Sequence, residues 1–435
     1  MLQTISFTLS DQILPINLEA LNDRFERICV FDSNPQANND SLISCSQLIA
    51  VGSTQDLIIK TEGDALRQLQ QFIDATSGWL FGYLTYDLKN EIENLHSQNE
   101  DGLNFPALHF FSPLLVLELK QEELLVHYDD VHIQKKEVKT IIERLNISGS
   151  QKNGSRSAIS VQSKISRRQY IAAVNQLQQH IRKGDIYEIN FCQEFFAKQV
   201  IIDSLHIYQK LNNISQAPFA AYCNFGDHQL ICSSPERFLQ KRKHQLISQP
   251  IKGTIRRSED PEEDTRLKAE LQQSEKERNE NVMIVDLVRN DLSRVAKRGT
   301  VKADELFGTY TFKQVHQLIS TISCEVKNDL SFTDIIRNTF PMGSMTGAPK
   351  ISAMQLIEKY ESTKRGLYSG AVGYIRPGGD FDFNVVIRSI LYNQKSNYVS
   401  FMVGSAITSK ANAEQEYDEC LLKAKAMLEV LENVE

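Results

Sequence analysis

From Tyr187 onward the sequence sets strand-length apolar segments one after another, several of them separated by gaps no longer than a turn. They run Tyr187–Phe195, Phe219–Phe225, Gln229–Ser233 and Phe238–Lys243, then Ala371–Arg376, Phe383–Leu391 and Tyr398–Val403. Parallel neighbours need a long crossover connection, usually a helix, whereas antiparallel neighbours can be joined by a tight turn. Strands and helices are mixed here without strict strand–helix–strand alternation. The order favours an α+β fold with mainly antiparallel sheets over a doubly wound parallel sheet.

Helical patterns frame this strand-rich body. Ser166 can cap a helix over Arg167–Lys183, where Tyr170, Ile171, Val174, Leu177 and Ile181 fall at helical spacing and Gly184 ends the run. Residues 261–298 read as one charged helix that turns apolar at Val282–Val288, and a last helix covers Ala413–Leu431. Nearer the N-terminus, Ala65–Ile73 and Val138–Leu145 are helical, while Trp79–Leu84 and Leu114–Tyr128 alternate as strands do. The stretch Asn146–Lys164 is rich in Ser, Gly, Lys and Asn and reads as a linker or long exposed loop. It divides an N-terminal region, residues 1–150, from residues 164–432, and the first region is expected to interleave with the second.

Composition narrows the class. In 435 residues, 41% hydrophobic and 24% charged residues are ordinary globular values. A net charge of −7 disfavours nucleic acid as a ligand, because phosphate binding needs a concentrated basic surface. No apolar run reaches bilayer-spanning length, and the N-terminus has no basic segment followed by an apolar one, so a cytoplasmic protein without membrane contact is expected. The 7 cysteines form no CxxC pair, which fits reduced thiols.

Five constellations carry chemical potential. Glu277 and Glu280 lie on one face of the charged helix, and Glu416 and Glu419 on one face of the last helix. Brought together they would make an oxygen-rich site suited to Mg²⁺, and apart they are solvated helix faces. Lys252, in Pro-Ile-Lys-Gly-Thr, is either a surface lysine or a desolvated amine whose lowered pKa makes it a nucleophile. The segment FPMGSMTGAPK before a helix at Ile351–Tyr360 is either an anion-binding turn or a structural one. Glu236, in SSPERF, is a general acid if burial raises its pKa, or a salt-bridged turn residue. His316, alone in an apolar-periodic segment, most simply reads as structural.

Taken in order, GDIYEINFCQEF, SSPERF, PIKGTIRR, NENVMIVDLVRNDLSRV, FPMGSMTGAPKISAM, RGLYSGAVGY, DFNVVIRSI and EQEYDECLLKA resemble the chorismate-utilising enzymes. That family includes anthranilate, aminodeoxychorismate, isochorismate and salicylate synthases. The resemblance is dense over Lys164–Glu432 and looser before it, at Gly78–Leu88 and Val30–Asn34. It implies two antiparallel sheets packed face to face with helices outside. It also implies that Glu280 and Glu419 hold Mg²⁺, with Glu277 and Glu416 close by. Tyr368, Arg388, Gly404 and Lys423 match positions that grip the enolpyruvyl side chain of chorismate, and Gly253 and Thr254 match ring-contacting positions. Glu236 matches the acid that protonates the departing C4 hydroxyl, and His316 a histidine beside the ring carboxylate.

Within the family, PIKGT resembles the aminodeoxychorismate branch, whereas anthranilate synthases look like PIAGT. The implied reaction is amination of chorismate at C4 through a Lys252 adduct, a step toward 4-aminobenzoate and folate. No cysteine has a glutaminase-like setting, so ammonia is expected from solution or from a separate glutamine amidotransferase subunit. The alternatives are an anthranilate synthase component I and a catalytically silent partner-binding paralogue. One departure stands out: Glu188 occupies a position where the aminating enzymes commonly carry Gln and isochorismate-type enzymes a water-activating Lys.

Overall fold

The computed structural model describes residues 2–8, 16–34, 42, 45–120, 123–145 and 159–432. Most of the predicted linker, residues 146–158, lies outside the described residues. Its last part is Gln162–Ser163, which pairs with the edge of the strand Glu188–Lys198.

Two antiparallel sheets, of 12 and 10 strands among the described residues, make the body. Strands from before and after the linker share both of them. In the first sheet, Arg27–Asp32 pairs with Phe219–Phe225, placing Cys29 opposite Cys223. In the second, Leu80–Leu84 pairs with Ala371–Ile375, placing Gly82 opposite Gly373.

Alternation along the strands of the first sheet explains how the layers form. Side chains of successive strand residues point to opposite faces. Cys29, Leu48, Ala50, Ala221, Cys223 and Cys192 point inward, into a core shared with Phe81, Phe111 and Phe383 of the second sheet. Their neighbours Ile28, Val30, Ile49, Ala220, Tyr222 and Phe191 point outward. That outer face is covered by Tyr170, Val174 and Leu177 of the helix Arg167–Lys183 and by Ala424 and Met427 of the helix Ala413–Glu432. Edge-on contacts between rings, such as Phe111 on Phe225 at 6.1 Å, tie the sheets across the core.

The helix Arg167–Lys183 has the capping box of Ser166 and Gln169, and left-handed Gly184 follows it. The charged stretch 261–298 is two helices, Pro261–Gln273 and Glu275–Val295, and not one. Ser274 has extended backbone geometry, ends the first helix, and accepts a hydrogen bond from Glu277 N to cap the second. Phe383–Leu391 is likewise two strands. Phe381–Val385 belongs to the second sheet and Ser389–Asn393 to the first, so the chain changes sheets between them.

Candidate active site

A cavity of about 820 Å³ opens where the chain passes between the sheets and two helices converge. Two neighbouring crossings form part of its wall. The first runs from His228–Ser234 to Arg237–Arg242 and carries Glu236; the second runs from Phe381–Val385 to Ser389–Asn393 and carries Arg388. Arg388 sits at φ 51°, a left-handed conformation uncommon for a residue with a side chain and often found where function requires it. Its guanidinium lines the cavity without a hydrogen bond or salt bridge among the described residues, which leaves its planar fork available for a carboxylate.

The strand Ile251–Arg256 supplies Lys252, Gly253 and Thr254 to the wall. Gly253 has φ +94°, and a Cβ there would lie 3.2 Å from both Glu277 Oε2 and Leu318 Cδ1, so a glycine lets the strand turn against the carboxylate helix. Asn281 locks the same contact by donating from Nδ2 to Lys252 O at 3.4 Å, while accepting from Ser320 Oγ at 2.6 Å. The Lys252 amine donates to Glu188 Oε1 at 2.6 Å. Desolvation alone would lower its pKa, as the sequence suggests. Glu188 and Glu280 reverse that, and the amine is held above the ordinary lysine value.

Glu277 and Glu280 face the cavity from the helix Glu275–Val295, and Glu416 and Glu419 from the helix Ala413–Glu432. Burial pushes Glu280 up to about 7, with Glu277 adding repulsion and Lys252 opposing it. Glu277 and Glu416 are raised for the same first reason. At Glu419 desolvation is outweighed by Lys423, whose amine lies 2.6 Å from Glu419 Oε1 and donates to Gly404 O at 2.9 Å. The carboxylates of these four residues, set on two helices that face one cavity, are the hard oxygen donors a divalent cation takes. No group of three or more potential ligands is drawn close enough to hold one among the described residues.

Glu236 is buried, and burial lifts its pKa to about 7 against the opposing effects of Ser344 and Lys252. Tyr368, also buried, lies with its hydroxyl 3.7 Å from Cys192 Sγ. Gly404 is opposite Cys192 in the adjoining strand, and a Cβ there would meet Cys192 Sγ at 2.4 Å and Phe191 O at 2.7 Å. No other residue fits.

All the candidate residues line this cavity except His316. In the strand Val315–Glu325, Val315 and Gln317 face the cavity, and His316 points the other way by strand alternation. Its ring instead contacts Asp264 Oδ1 at 3.0 Å and Thr311 Oγ1 at 3.0 Å. At the start of the helix that follows the glycine-rich segment, Lys350 pairs with Asp291 at 2.6 Å. The segment itself contributes Ser344 and Met345 to the cavity. Asn190 and Gln317 escaped the sequence reading, yet Asn190 Oδ1 and Gln317 Oε1 are buried in the wall with no hydrogen-bond partner. Gln317 stands next to His316, on the opposite face of a strand that the sequence reading did not place there.

Behind the wall, Arg365 and Glu361 form a buried ion pair at 2.6 Å. Glu361 accepts from Cys192 N at 2.9 Å, while Arg365 donates to Asn190 O at 2.9 Å and to Met345 O at 2.6 Å. The pair thereby fixes the strand and the turn that border Lys252.

Residues 26–429 match the family described as chorismate binding enzyme. The chain is 32% identical over 387 residues to aminodeoxychorismate synthase component 1 of Escherichia coli (strain K12), an alignment covering 86% of this chain and 83% of that one. It is 42% identical over 264 residues to aminodeoxychorismate synthase, chloroplastic, of Arabidopsis thaliana, covering 60% of this chain but 28% of that protein, so it spans under a third of that relative's length. Among solved structures, anthranilate synthase component I from Streptococcus pneumoniae superposes with a TM-score of 0.79 at 25% identity, covering 97% of this chain and 99% of that one. With the match running through nearly every element that builds the cavity, the chain belongs to the chorismate-binding enzymes.

Proposed function

We propose that this chain aminates chorismate at C4 with ammonia to give 4-amino-4-deoxychorismate, through a covalent adduct on Lys252. The observation that carries the reading is the pairing, in one cavity, of a largely buried lysine, its side chain 12% exposed, with a buried carboxylic acid poised near neutrality, Glu236. The Lys252 amine attacks C2 of the ring, the ring double bonds shift, and the C4 hydroxyl leaves with the proton of Glu236. Ammonia then attacks C4, and the reverse shift expels the lysine. Splitting one displacement into two is the usual gain from a covalent nucleophile.

Arg388, with Tyr368, Lys423 and the Gly404 backbone, binds the enolpyruvyl carboxylate, and Gly253 and Thr254 border the ring. Mg²⁺, held by Glu280 and Glu419 with Glu277 and Glu416 as further carboxylates, would supply positive charge against the ring carboxylate. The described cysteines are buried apart from partly exposed Cys45. A separate glutamine amidotransferase, the partner of this reading, provides ammonia. Identification of the product by mass spectrometry, with chorismate, Mg²⁺ and ammonium supplied, tests the reaction. 4-Amino-4-deoxychorismate supports it and anthranilate overturns it. Lys252→Ala tests the adduct: C4 amination at the wild-type rate would end the covalent mechanism.

A further inference from the structure

Glu188 is a second carboxylate committed to Lys252, and it stands outside the group that faces substrate. It is 2% exposed and is not among the residues that line the cavity. Its strand is clamped. Glu188 pairs with Ala348, and Tyr187 N donates to Ala348 O at 2.7 Å. A Cβ at Gly347 would fall 2.2 Å from Glu188 O, so the glycine-rich segment can close over this strand only as it is. The Lys252 backbone is tied to the helix Glu275–Val295 by Asn281, which donates to its carbonyl at 3.4 Å. Between two fixed backbones, Nζ and Oε1 meet at 2.6 Å, the short separation expected of a charge-assisted hydrogen bond. Glu188 is the one carboxylate hydrogen-bonded to this amine among the described residues.

An ammonium cannot attack carbon, so a nucleophilic lysine must first lose a proton to a group within hydrogen-bond reach. The other charged groups around Lys252 are placed for different work. Glu277 and Glu280 line the cavity from one helix with Lys276, Glu416 and Glu419 from the other with Lys423, and Glu236 lies at the sheet crossing. We infer that Glu188 is the proton acceptor of Lys252, converting the ammonium into the attacking amine and returning the proton when the lysine departs. The inference rests on the covalent reading above.

The steps balance. Lys252 ammonium gives one proton to the Glu188 carboxylate, and its freed electron pair forms the bond to C2. The C4–O bond breaks, and the hydroxyl leaves as water with the proton of Glu236. After ammonia has added at C4 and the C2–N bond has broken, the departing lysine amine recovers its proton from Glu188, and the new C4 ammonium gives one to Glu236. A glutamine at this position would accept the same hydrogen bond without being able to take the proton.

The test compares Glu188→Gln and Glu188→Ala with the wild type, each first shown to retain wild-type secondary structure and chorismate affinity. Both variants are expected to lose about 10²-fold or more in kcat, with KM for chorismate changed little. Sodium formate, entering the space vacated in Glu188→Ala, is expected to restore part of kcat, while sodium chloride at equal ionic strength does not and Glu188→Gln gains from neither. A Glu188→Gln enzyme at the wild-type kcat, or a Glu188→Ala enzyme that formate leaves unchanged, overturns the assignment. Failure of the covalent reading shows separately, in the wild-type product and in Lys252→Ala.

Discussion

Glu236 and Arg388 stand at adjoining points where the chain leaves one sheet for the other, and the two crossings are stitched together. Val385 N donates to Glu236 O at 3.0 Å, and Ser233 N donates to Arg388 O at 3.2 Å. Each crossing thus hydrogen-bonds the strand end beside the other. An acid and a carboxylate-binding cation are thereby held in one rigid arrangement, which is what a site needs if the hydroxyl and the enolpyruvyl group on neighbouring ring carbons are to be handled together.

Glu236→Gln should lower kcat by about 10²–10⁴-fold, the range for losing a positioned general acid, while altering KM for chorismate little. The wild-type kcat, measured at a fixed concentration of free NH₃, should fall as pH rises through about 7, where Glu236 loses its proton. The variant should lack that limb. A wild-type profile flat from pH 6 to 8 would remove Glu236 from the acid role.

The same substitution should stabilise the protein at alkaline pH. Glu236 is raised from 4.5 to about 7 on folding, so the folded state binds its proton more tightly than the unfolded one. The stability linked to that proton is fully present below 4.5 and is lost as pH rises through about 7. A shift of that size corresponds to about 3 kcal/mol as an order of magnitude. Glutamine cannot ionise, so urea unfolding should show the variant gaining on the wild type between about pH 5 and pH 8. Equal differences at both pH values would contradict the burial argument.

Glu280→Gln and Glu419→Gln should each abolish Mg²⁺-dependent turnover, because a neutral amide poorly replaces a hard anionic ligand. Glu277→Gln and Glu416→Gln should weaken Mg²⁺ dependence by about 10–100-fold, as supporting groups do. Calorimetric Mg²⁺ titration in the presence of chorismate, alongside turnover against Mg²⁺, measures both. Near wild-type activity of Glu280→Gln or Glu419→Gln at low Mg²⁺ would displace the metal from these residues.

Local signals were legible in the sequence where the physics is local. Ser166, the helical spacing after it and Gly184 mark one helix at both ends. The break at Ser274 lay hidden because a serine among charged residues looks like any other surface position until its extended backbone is seen. The sheet change before Ser389 passes through Val385, Val386 and Ile387, which favour strand geometry, with no glycine or proline to flag it. That His316 and Gln317 face opposite ways follows only once Val315–Glu325 is seen to be a strand, which the sequence reading did not place there. The Lys252–Glu188 pair spans 64 positions, and nothing near either residue announces the other.

The cavity wall is supported from behind by a buried ion pair. Arg365 and Glu361 are each 1% exposed at the side chain, and removing one partner of such a pair strands the other's charge in a low-dielectric interior. Arg365→Met should therefore destabilise the fold by about 3–5 kcal/mol. A buried ion pair can often be exchanged for apolar groups at little cost, but this one also binds the backbone. Cys192 N, Asn190 O and Met345 O would all lose their partners. The double variant Glu361→Leu with Arg365→Met should consequently remain well below the wild type in urea unfolding, and should lose kcat because the strand carrying Glu188 and Asn190 is released. A double variant as stable and as active as the wild type would reduce the pair to ordinary core packing.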